Sequence, residues 1–114
     1  MKKIILLFVV VLSAFCAVGC DKENKTTVGI LLTATHSALN DAKDGFIEAL
    51  KANGYEDAEF VVRNPEGDAT TMNSMATELV RKSDIVLGVG TPAAVALQSA
   101  RDAEELDVTI LFTA

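Results

Sequence analysis

The chain has 114 residues, a formal net charge of −6 at pH 7 and 50% hydrophobic residues. An acidic balance disfavours binding to nucleic acids, because their phosphate backbone is negatively charged. The hydrophobic content argues against a disordered chain, and the length is enough for one small domain but not for two.

The first 19 residues have the organisation of a secretory signal peptide. Lys2 and Lys3 form a basic start, and an apolar run from Ile4 to Val18 follows, interrupted only by Ser13. A membrane-spanning helix needs about 20 apolar residues, whereas this run has the length of a signal-peptide hydrophobic region. Removal of the peptide, with its two lysines, would change the net charge from −6 to about −8.

Small residues precede Cys20, in the order Ala17-Val18-Gly19, and resemble the lipobox of bacterial lipoproteins. In such a signal the cysteine carries the lipid and becomes the mature N-terminus; an ordinary thiol is the alternative. Cys16 would leave with the peptide, so the mature chain would contain no disulfide. The sequence predicts a diacylglycerol anchor on Cys20, a polar linker over residues 20–26 and a folded domain over residues 27–114.

The first half of the domain alternates between strand and helix patterns. Val28 to Leu32 is an apolar run without alternation, which indicates a strand buried on both faces. Apolar residues at helical spacing predict a helix from Ala38 to Asn53, which Gly54 ends. The second strand, Glu59 to Arg63, ends in the turn Asn64 to Gly67.

The second half continues this alternation. Asp68 is predicted to cap a second helix that has apolar residues along one face. A third strand, Ile85 to Val89, leads to Thr91, which is predicted to cap a helix continuing to about Ala103. Val108 to Phe112 is the fourth predicted strand.

Four strands alternating with three helices predict a three-layer, Rossmann-like α/β fold, with a parallel sheet, helices on both faces and right-handed crossovers. The common strand order for such a unit is 2-1-3-4. This order reverses between the first and third strands, and ligands bind at such a point beyond the carboxyl ends of the strands. The loops there are Thr33 to Ser37 and Gly88 to Pro92, both rich in small hydrogen-bonding groups.

The segment GVGTPAAVA, residues 88–96, contains a G-x-G-x-x-A pattern. A dinucleotide-binding glycine motif normally opens the first strand–helix unit and is followed by an acidic residue after the next strand. Here the glycines follow the third strand, and Asp107 precedes the fourth. No nucleotide cofactor is therefore predicted. The free amides and the helix dipole after Gly90 instead favour a small anion such as a carboxylate.

Individual residues in these loops have alternative interpretations. Thr91 either only caps the helix or also contacts a ligand, and His36, the one histidine, is either a solvated loop residue or a ligand contact. Gly88 is interpreted as a turn residue and Glu66 as a solvated charge in a turn. No metal-binding cluster, nucleophile elbow or catalytic triad is recognisable, so neither a metal site nor an enzyme is predicted.

Three segments resemble the ABC-transporter solute-binding protein family that includes tryptophan- and aromatic-amino-acid-type receptors. They are THSALNDAKDGFIEAL from Thr35 to Leu50, NPEGD from Asn64 to Asp68 and GTPAA from Gly90 to Ala94. The resemblance covers nearly all of the chain after the linker. The family often has proline in place of Ser37.

The resemblance implies a type I periplasmic-binding-protein fold, in which two lobes close over a solute and deliver it to a membrane permease with its ATPase. It implies an extracytoplasmic protein of the bacterial cell envelope. The favoured solute is an amino acid, with tryptophan and other aromatic amino acids as the candidates. The residues that the resemblance places along this lobe's half of the cleft are Thr35, His36, Ser37, Asn64, Gly90, Thr91 and Thr113.

Length is where the sequence departs from the family, which continues through the rest of the first lobe and a second lobe. The sequence is therefore expected to be an N-terminal fragment that binds solute weakly and self-associates through the unpaired edge of its fourth strand. One alternative is a small lipid-anchored interaction module that binds no solute. Another, an enzyme on a flavodoxin-like scaffold, is disfavoured because the catalytic groups are missing.

Overall fold

The computed structural model describes residues 25–113. The predicted signal peptide and Cys20 lie outside these residues. Within the described part, no helix combines the length and the hydropathy needed to cross a membrane. The elements in chain order are β1 (Thr27–Leu32), α1 (Ser37–Leu50), β2 (Glu59–Arg63), α2 (Ala69–Lys82), β3 (Ile85–Val89), α3 (Thr91–Ala103) and β4 (Thr109–Thr113).

The four strands form one parallel sheet in the order β2-β1-β3-β4, which confirms the predicted order and the reversal between β1 and β3. In the register of the sheet, Leu32 lies opposite Val89, and Val89 lies opposite Thr113. The carboxyl ends of β1, β3 and β4 are therefore level at one edge, which we call the carboxyl edge.

Helices cover both faces of the sheet, as the three-layer prediction requires. Side chains alternate between the faces along each strand, so neighbours in sequence enter different cores. Val28, Ile30 and Leu32 of β1 form the core under α1, whereas Leu31 of the same strand belongs to the core under α2 and α3. The other fully or almost fully buried members of this second core are Met72, Ala76, Leu79, Val80, Val86, Ala93, Ala96, Leu97, Ala100 and Val108.

The end of α1 follows the predicted glycine signal. Regular helix stops at Leu50, and a wider turn over Lys51–Tyr55 carries the chain to Gly54, whose φ is 98°. Glycine adopts this left-handed backbone without the steric penalty that a Cβ atom brings. The Asn53 side-chain amide donates to the carbonyl of Ala49 at 2.6 Å and satisfies one of the last helical acceptors.

Gly88 lies inside β3, so its interpretation as a turn residue is wrong. A Cβ atom placed there would be 2.7 Å from both the Cα and the amide nitrogen of Ala94 in α3. The first turns of α3 therefore lie directly on the strand backbone, which only a residue without a side chain permits. This close packing fixes the start of α3 next to the carboxyl end of β3.

An ion-pair network joins the end of β2 to α2. Glu78 accepts from the guanidinium of Arg63 at 3.0 Å and from Lys82 at 3.1 Å. These hydrogen bonds, that of Arg63 above all, lower the pKa of Glu78 from its usual 4.5 to about 2. Because the folded state has the lower pKa, the stabilisation is complete above about pH 4.5 and is lost as pH falls toward about 2.

Glu78→Gln is expected to make the stability of the domain less dependent on pH in this acidic range. Wild-type thermal midpoints should fall more steeply between about pH 5 and about pH 2 than those of the variant, since the neutral side chain has no charge to lose. Thermal unfolding followed by circular dichroism measures both slopes. Glu48→Gln, on the exposed part of α1, is the control and should retain the wild-type slope. Equal slopes for Glu78→Gln and wild type would contradict the assignment.

The strand β4 is the exposed edge of the sheet. Within residues 25–113 it pairs only with β3, and its Leu111 and Phe112 side chains are 41% and 78% exposed. An open strand edge with large apolar side chains favours pairing with another chain. Self-association through β4 stays a prediction, tested as follows.

The 114-residue chain is expected to sediment as dimers or larger species at high protein concentration, with a second copy covering β4. Phe112→Ser should shift the distribution toward monomer, because it removes most of the apolar surface that the contact buries. Sedimentation velocity measures the distribution. Leu106→Ser, a partly exposed residue outside β4, serves as the control and should behave as wild type. A wild-type chain that remains monomeric would contradict the prediction.

Candidate functional site

Thr33, the first residue after β1, joins three segments at the carboxyl edge. Its amide and its hydroxyl donate to the carbonyl of Val89 at 3.2 and 3.0 Å. Its own carbonyl accepts from the amide of Gly67, in the turn after β2, at 2.9 Å. The loop after β1 is thus bonded to the turn after β2 and to the end of β3. The three segments meet at the predicted reversal of strand order, where a ligand crevice is expected.

Gly90 forms the β3 side of this crevice and is the N-cap of α3. Its φ of 94° suits glycine, and a Cβ atom there would be 2.5 Å from the Thr33 hydroxyl oxygen. Its amide donates to the carbonyl of Thr113 at 2.8 Å, and its carbonyl accepts from Ala94 at 3.1 Å. The sharp turn that this φ produces brings the backbone of Gly90 against Thr33.

The prediction that Thr91 caps α3 is therefore wrong. Thr91 is the first residue of the helix, and no side chain makes a capping hydrogen bond there. The positive φ of Gly90 turns the chain one residue earlier, so the cap position falls on the glycine. Thr91 is exposed, and its hydroxyl is not used to hold the helix end.

The start of α3 also favours a negatively charged ligand. The first amides of a helix have no intrahelical acceptor, and the helix dipole places a partial positive charge at this end. Thr91 provides the first of these amides, and Pro92, which follows it, has no amide hydrogen to donate. A carboxylate is a suitable partner for such a group of donors.

On the β2 side of the crevice, Thr35, Asn64 and Glu66 form a closed hydrogen-bond network. The Thr35 hydroxyl donates to Glu66 Oε1, and the Thr35 amide donates to Oε2 at 3.1 Å. Asn64 Nδ2 donates to the Thr35 hydroxyl oxygen at 2.9 Å and to Glu66 Oε1 at 2.8 Å. Asn64 Oδ1 accepts from the Glu66 amide at 3.0 Å. The network cross-links the loop after β1 to the turn after β2.

Glu66 is exposed and lies in the turn, as its interpretation as a solvated turn charge requires, but its carboxylate also accepts three of these hydrogen bonds. The hydrogen bonds from Thr35, hydroxyl first and amide second, lower the pKa of Glu66 below its usual range, although partial desolvation opposes them. The carboxylate is therefore ionised at neutral pH. The backbone φ of Glu66 is 51°, an uncommon conformation for a residue with a side chain.

His36 and Ser37 lie at the start of α1. His36 is exposed and is the N-cap of the helix, where its Nδ1 accepts from the Ala38 amide at 3.3 Å. This capping role was not predicted, because serine, threonine, aspartate and asparagine are the usual N-cap residues and Ser37 stands next to it. Ser37 is the exposed first residue of α1.

The predicted binding residues therefore form two bonded groups and a flank. Thr35 and Asn64 belong to the network with Glu66, while Gly90 lies between its neighbour Thr91 and its partner Thr113. Thr33 joins the two groups, and His36 with Ser37 forms the flank. Thr33 and Glu66 were absent from the predicted set. Thr33 nevertheless belongs to the loop Thr33 to Ser37, and Glu66 to the turn Asn64 to Gly67, and both of these segments contained predicted binding residues.

A groove between α3 and β4, which we call the α3–β4 groove, has a volume of about 420 Å³. It shares Gly90, Thr91 and Thr113 with the predicted set, and Val95 and Phe112 contribute exposed apolar surface. The groove thus extends from the α3 side of the crevice along the outer edge of the sheet. Among the described residues, no group of three or more His, Cys, Asp or Glu side chains is placed to bind a metal ion.

A family model described as "ABC transporter substrate binding protein" matches residues 27–114. The chain belongs to this family. The resemblance carried by the three sequence segments is thereby confirmed, and so is the α/β fold class, since the solved relatives below share it. Members of the ABC transporter substrate-binding family are binding proteins and not enzymes, and they act outside the cytoplasm.

Relatives of the chain include proteins whose ligands are named. A tyrosine-binding protein of Clostridioides difficile (strain R20291) is 34% identical over 98 residues, which are 82% of this chain and 27% of that protein. The structure of an ABC domain from Streptococcus pneumoniae in complex with L-Trp has a TM-score of 0.72 and 29% identity, covering 80% of this chain and 30% of that one.

A third relative is a substrate-binding protein with adhesive properties from Clostridium difficile, in a ligand-free, open structure. Its TM-score is 0.70 and its identity 31%, over 78% of this chain and 30% of that one. The chain therefore spans less than a third of the length of these three relatives.

Proposed function

We propose that this chain supplies one wall of the solute site of an ABC importer's binding protein, and that the solute is an amino acid, with tryptophan or another aromatic favoured. One observation carries the proposal: Thr33 is bonded to Val89, directly before Gly90, and to Gly67, directly after Glu66, so the two groups of predicted residues meet at this residue. Relatives named for tyrosine binding and solved with L-Trp support this class of solute.

In this proposal the start of α3 binds the carboxylate of the solute. The amide and the unused hydroxyl of Thr91 donate to it, favoured by the helix dipole. His36 and Ser37 border the site from α1, and Thr113 borders it from β4. No bond in the solute changes, because binding followed by closure of a second lobe is the complete mechanism.

The partners and the location of the whole protein are part of the same proposal. A permease with its ATPase receives the solute from the closed protein, and lipid on Cys20 holds the protein at the outer side of the membrane. The two or more acyl chains of a lipoprotein anchor are enough for durable attachment, whereas one chain is marginal. The polar residues after Cys20 act as a short linker to β1.

A lipid-anchored interaction module without solute binding is the second candidate. The observation that favours it is the apolar, exposed edge at β4, where Phe112 is 78% exposed. A chain that self-associates through β4 and binds no amino acid at any concentration would support this candidate over a solute receptor.

Fluorescence anisotropy of L-tryptophan tests the proposed function directly, because the chain itself contains no tryptophan. Titration with the chain should raise the anisotropy with a dissociation constant of about 1 mM or weaker, equivalent to about −4 kcal/mol. Weak affinity is expected since one lobe supplies only part of the contacts. L-Tyrosine should compete. If the anisotropy is unchanged at a chain concentration several times this dissociation constant, the result counts against the proposal.

Thr91→Val is expected to weaken L-tryptophan binding by about tenfold or more without changing the stability of the fold. The substitution removes only a hydroxyl that makes no capping bond, and a lost hydrogen bond to a charged group costs about 1.5–3 kcal/mol. Anisotropy gives the affinity, and thermal unfolding gives the stability. Thr109→Val, an exposed residue at the opposite end of β4 from Thr113, is the control. Wild-type affinity in Thr91→Val would exclude the hydroxyl from the site.

A further inference from the structure

In the Thr35–Asn64–Glu66 network the side-chain hydrogens are all donated within the network, whereas some oxygen lone pairs accept no hydrogen bond. Both hydrogens of the Asn64 amide are donated within the network, and so is the hydroxyl hydrogen of Thr35. Neither side chain therefore has a hydrogen left for a solute, although both were predicted to contact one. The capacity that remains belongs to oxygen atoms.

Glu66 carries the charged part of this remaining capacity. An ionised carboxylate offers about four lone-pair positions, and three hydrogen bonds from Thr35 and Asn64 occupy all but about one of them. Among the ion pairs of residues 25–113, none includes Glu66. The neutral groups of Thr35 and Asn64 donate hydrogen bonds to the Glu66 carboxylate, but no cation among these ion pairs balances its negative charge.

We propose that Glu66 is the residue that binds the ammonium group of the solute, and that Thr35 and Asn64 are positioning residues that act through it. This inference rests on the proposed function, since it assigns the second pole of an amino acid bound at the start of α3. An ammonium group has hydrogens to donate and a positive charge, and both complement what Glu66 leaves unused.

The spacing of the sheet fits such a ligand. Gly67 and Gly90 both contact Thr33, from the β2 and the β3 side of β1 respectively. Neighbouring strands lie about 4.8 Å apart, so the ends of β2 and β3 are separated by about 10 Å. An α-amino acid that makes one hydrogen bond of about 2.9 Å at each pole can bridge a separation of this order.

The backbone of Glu66 shows how the carboxylate is held in place. Asn64 Oδ1 accepts from the Glu66 amide at 3.0 Å while the chain turns through a φ of 51°. This local bond stabilises a conformation that residues with side chains seldom adopt. The geometry of the carboxylate is thus fixed before a ligand arrives, which lowers the ordering cost of binding.

Indole ligands that differ at one pole test the inference with the wild-type chain alone. L-Tryptophan is compared with N-acetyl-L-tryptophan, which lacks the ammonium, and with L-tryptophanamide, which lacks the carboxylate. Fluorescence anisotropy reports all three. N-acetyl-L-tryptophan is expected to bind at least about tenfold more weakly than L-tryptophan, because its neutral amide cannot form a charged pair with Glu66.

A charge-removing variant assigns this selectivity to one side chain. Glu66→Gln keeps an oxygen that can accept from Thr35, and it should lower L-tryptophan affinity about tenfold while leaving that of N-acetyl-L-tryptophan unchanged or higher. Glu48→Gln, on the exposed part of α1, should retain wild-type selectivity. Amide NMR signals of Thr35 and Asn64 show whether the network persists in the variant.

The outcomes separate the two proposals. If L-tryptophan and N-acetyl-L-tryptophan bind the wild-type chain equally well, the assignment of Glu66 is overturned while the proposed function stands. An equal loss of affinity for both ligands in Glu66→Gln also overturns the assignment, because Glu66 would then only stabilise the conformation of the loop. If no indole ligand binds the wild-type chain, the proposed function itself fails.

Discussion

Gly88→Ala is expected to destabilise the domain by about 2–3 kcal/mol, near the upper end for overpacking by one methyl group. The added Cβ would lie 2.7 Å from the backbone nitrogen and the Cα of Ala94. Backbone atoms cannot rotate away as a side chain can, so α3 must move off the sheet. For a domain of this size, the thermal midpoint should fall by about 10–20 °C.

The control for this substitution is Gly45→Ala, within α1. A Cβ atom there meets no other atom within 4 Å, so only the backbone entropy of the unfolded chain changes. We expect this variant to gain about 0.5–1 kcal/mol, since glycine disfavours the interior of a helix. Circular dichroism during heating measures both midpoints. A Gly88→Ala midpoint within about 2 °C of wild type would show that α3 does not lie as close to β3 as described.

Gly90→Ala is expected to abolish detectable L-tryptophan binding and to cost about 1–3 kcal/mol of stability. A backbone with φ 94° and ψ 150° is almost restricted to glycine, and the new Cβ would also lie 2.5 Å from the Thr33 hydroxyl oxygen. The backbone strain and the steric clash with Thr33 can be relieved only if the start of α3 moves relative to Thr33. This movement would separate the two sides of the crevice. Anisotropy and thermal unfolding measure the two effects.

A double variant separates the contact from the backbone strain. Thr33→Ala removes the hydroxyl, so Gly90→Ala combined with it should lose less than the sum of the two single changes. The φ strain persists in the double variant, so its stability should stay below that of Thr33→Ala alone. Strict additivity would mean that Thr33 and Gly90 are not in contact.

Features with a local cause could be predicted from the sequence. Asp68 caps α2, accepting from the Thr71 amide at 2.7 Å, and Gly54 ends α1, because each signal acts within a few residues of itself. The strand order follows from the alternation of short strands and helices, which few topologies satisfy. These local rules were enough to predict that the ends of β1 and β3 are adjacent.

Features that depend on contacts distant in sequence could not be predicted in the same way. Gly90, and not Thr91, caps α3 because the chain must pass close to Thr33, which is 57 positions earlier in the numbering. Gly88 packs on Ala94 only when α3 lies on the sheet. Two of the three hydrogen bonds to the Glu66 carboxylate exist only because Thr35, from another loop, lies beside it. A turn pattern alone contains none of this information.

The central claim is that a solute binds in the crevice between the loops after β1 and β3. Intermolecular nuclear Overhauser effects between the indole ring of L-tryptophan and the isotope-labelled chain test it most directly. We predict effects to the methyl groups of Thr35 and Thr91. Effects confined to Val95 and Phe112 would place the ligand in the α3–β4 groove, and effects to Thr27 would place it at the opposite edge of the sheet; either result would contradict the account.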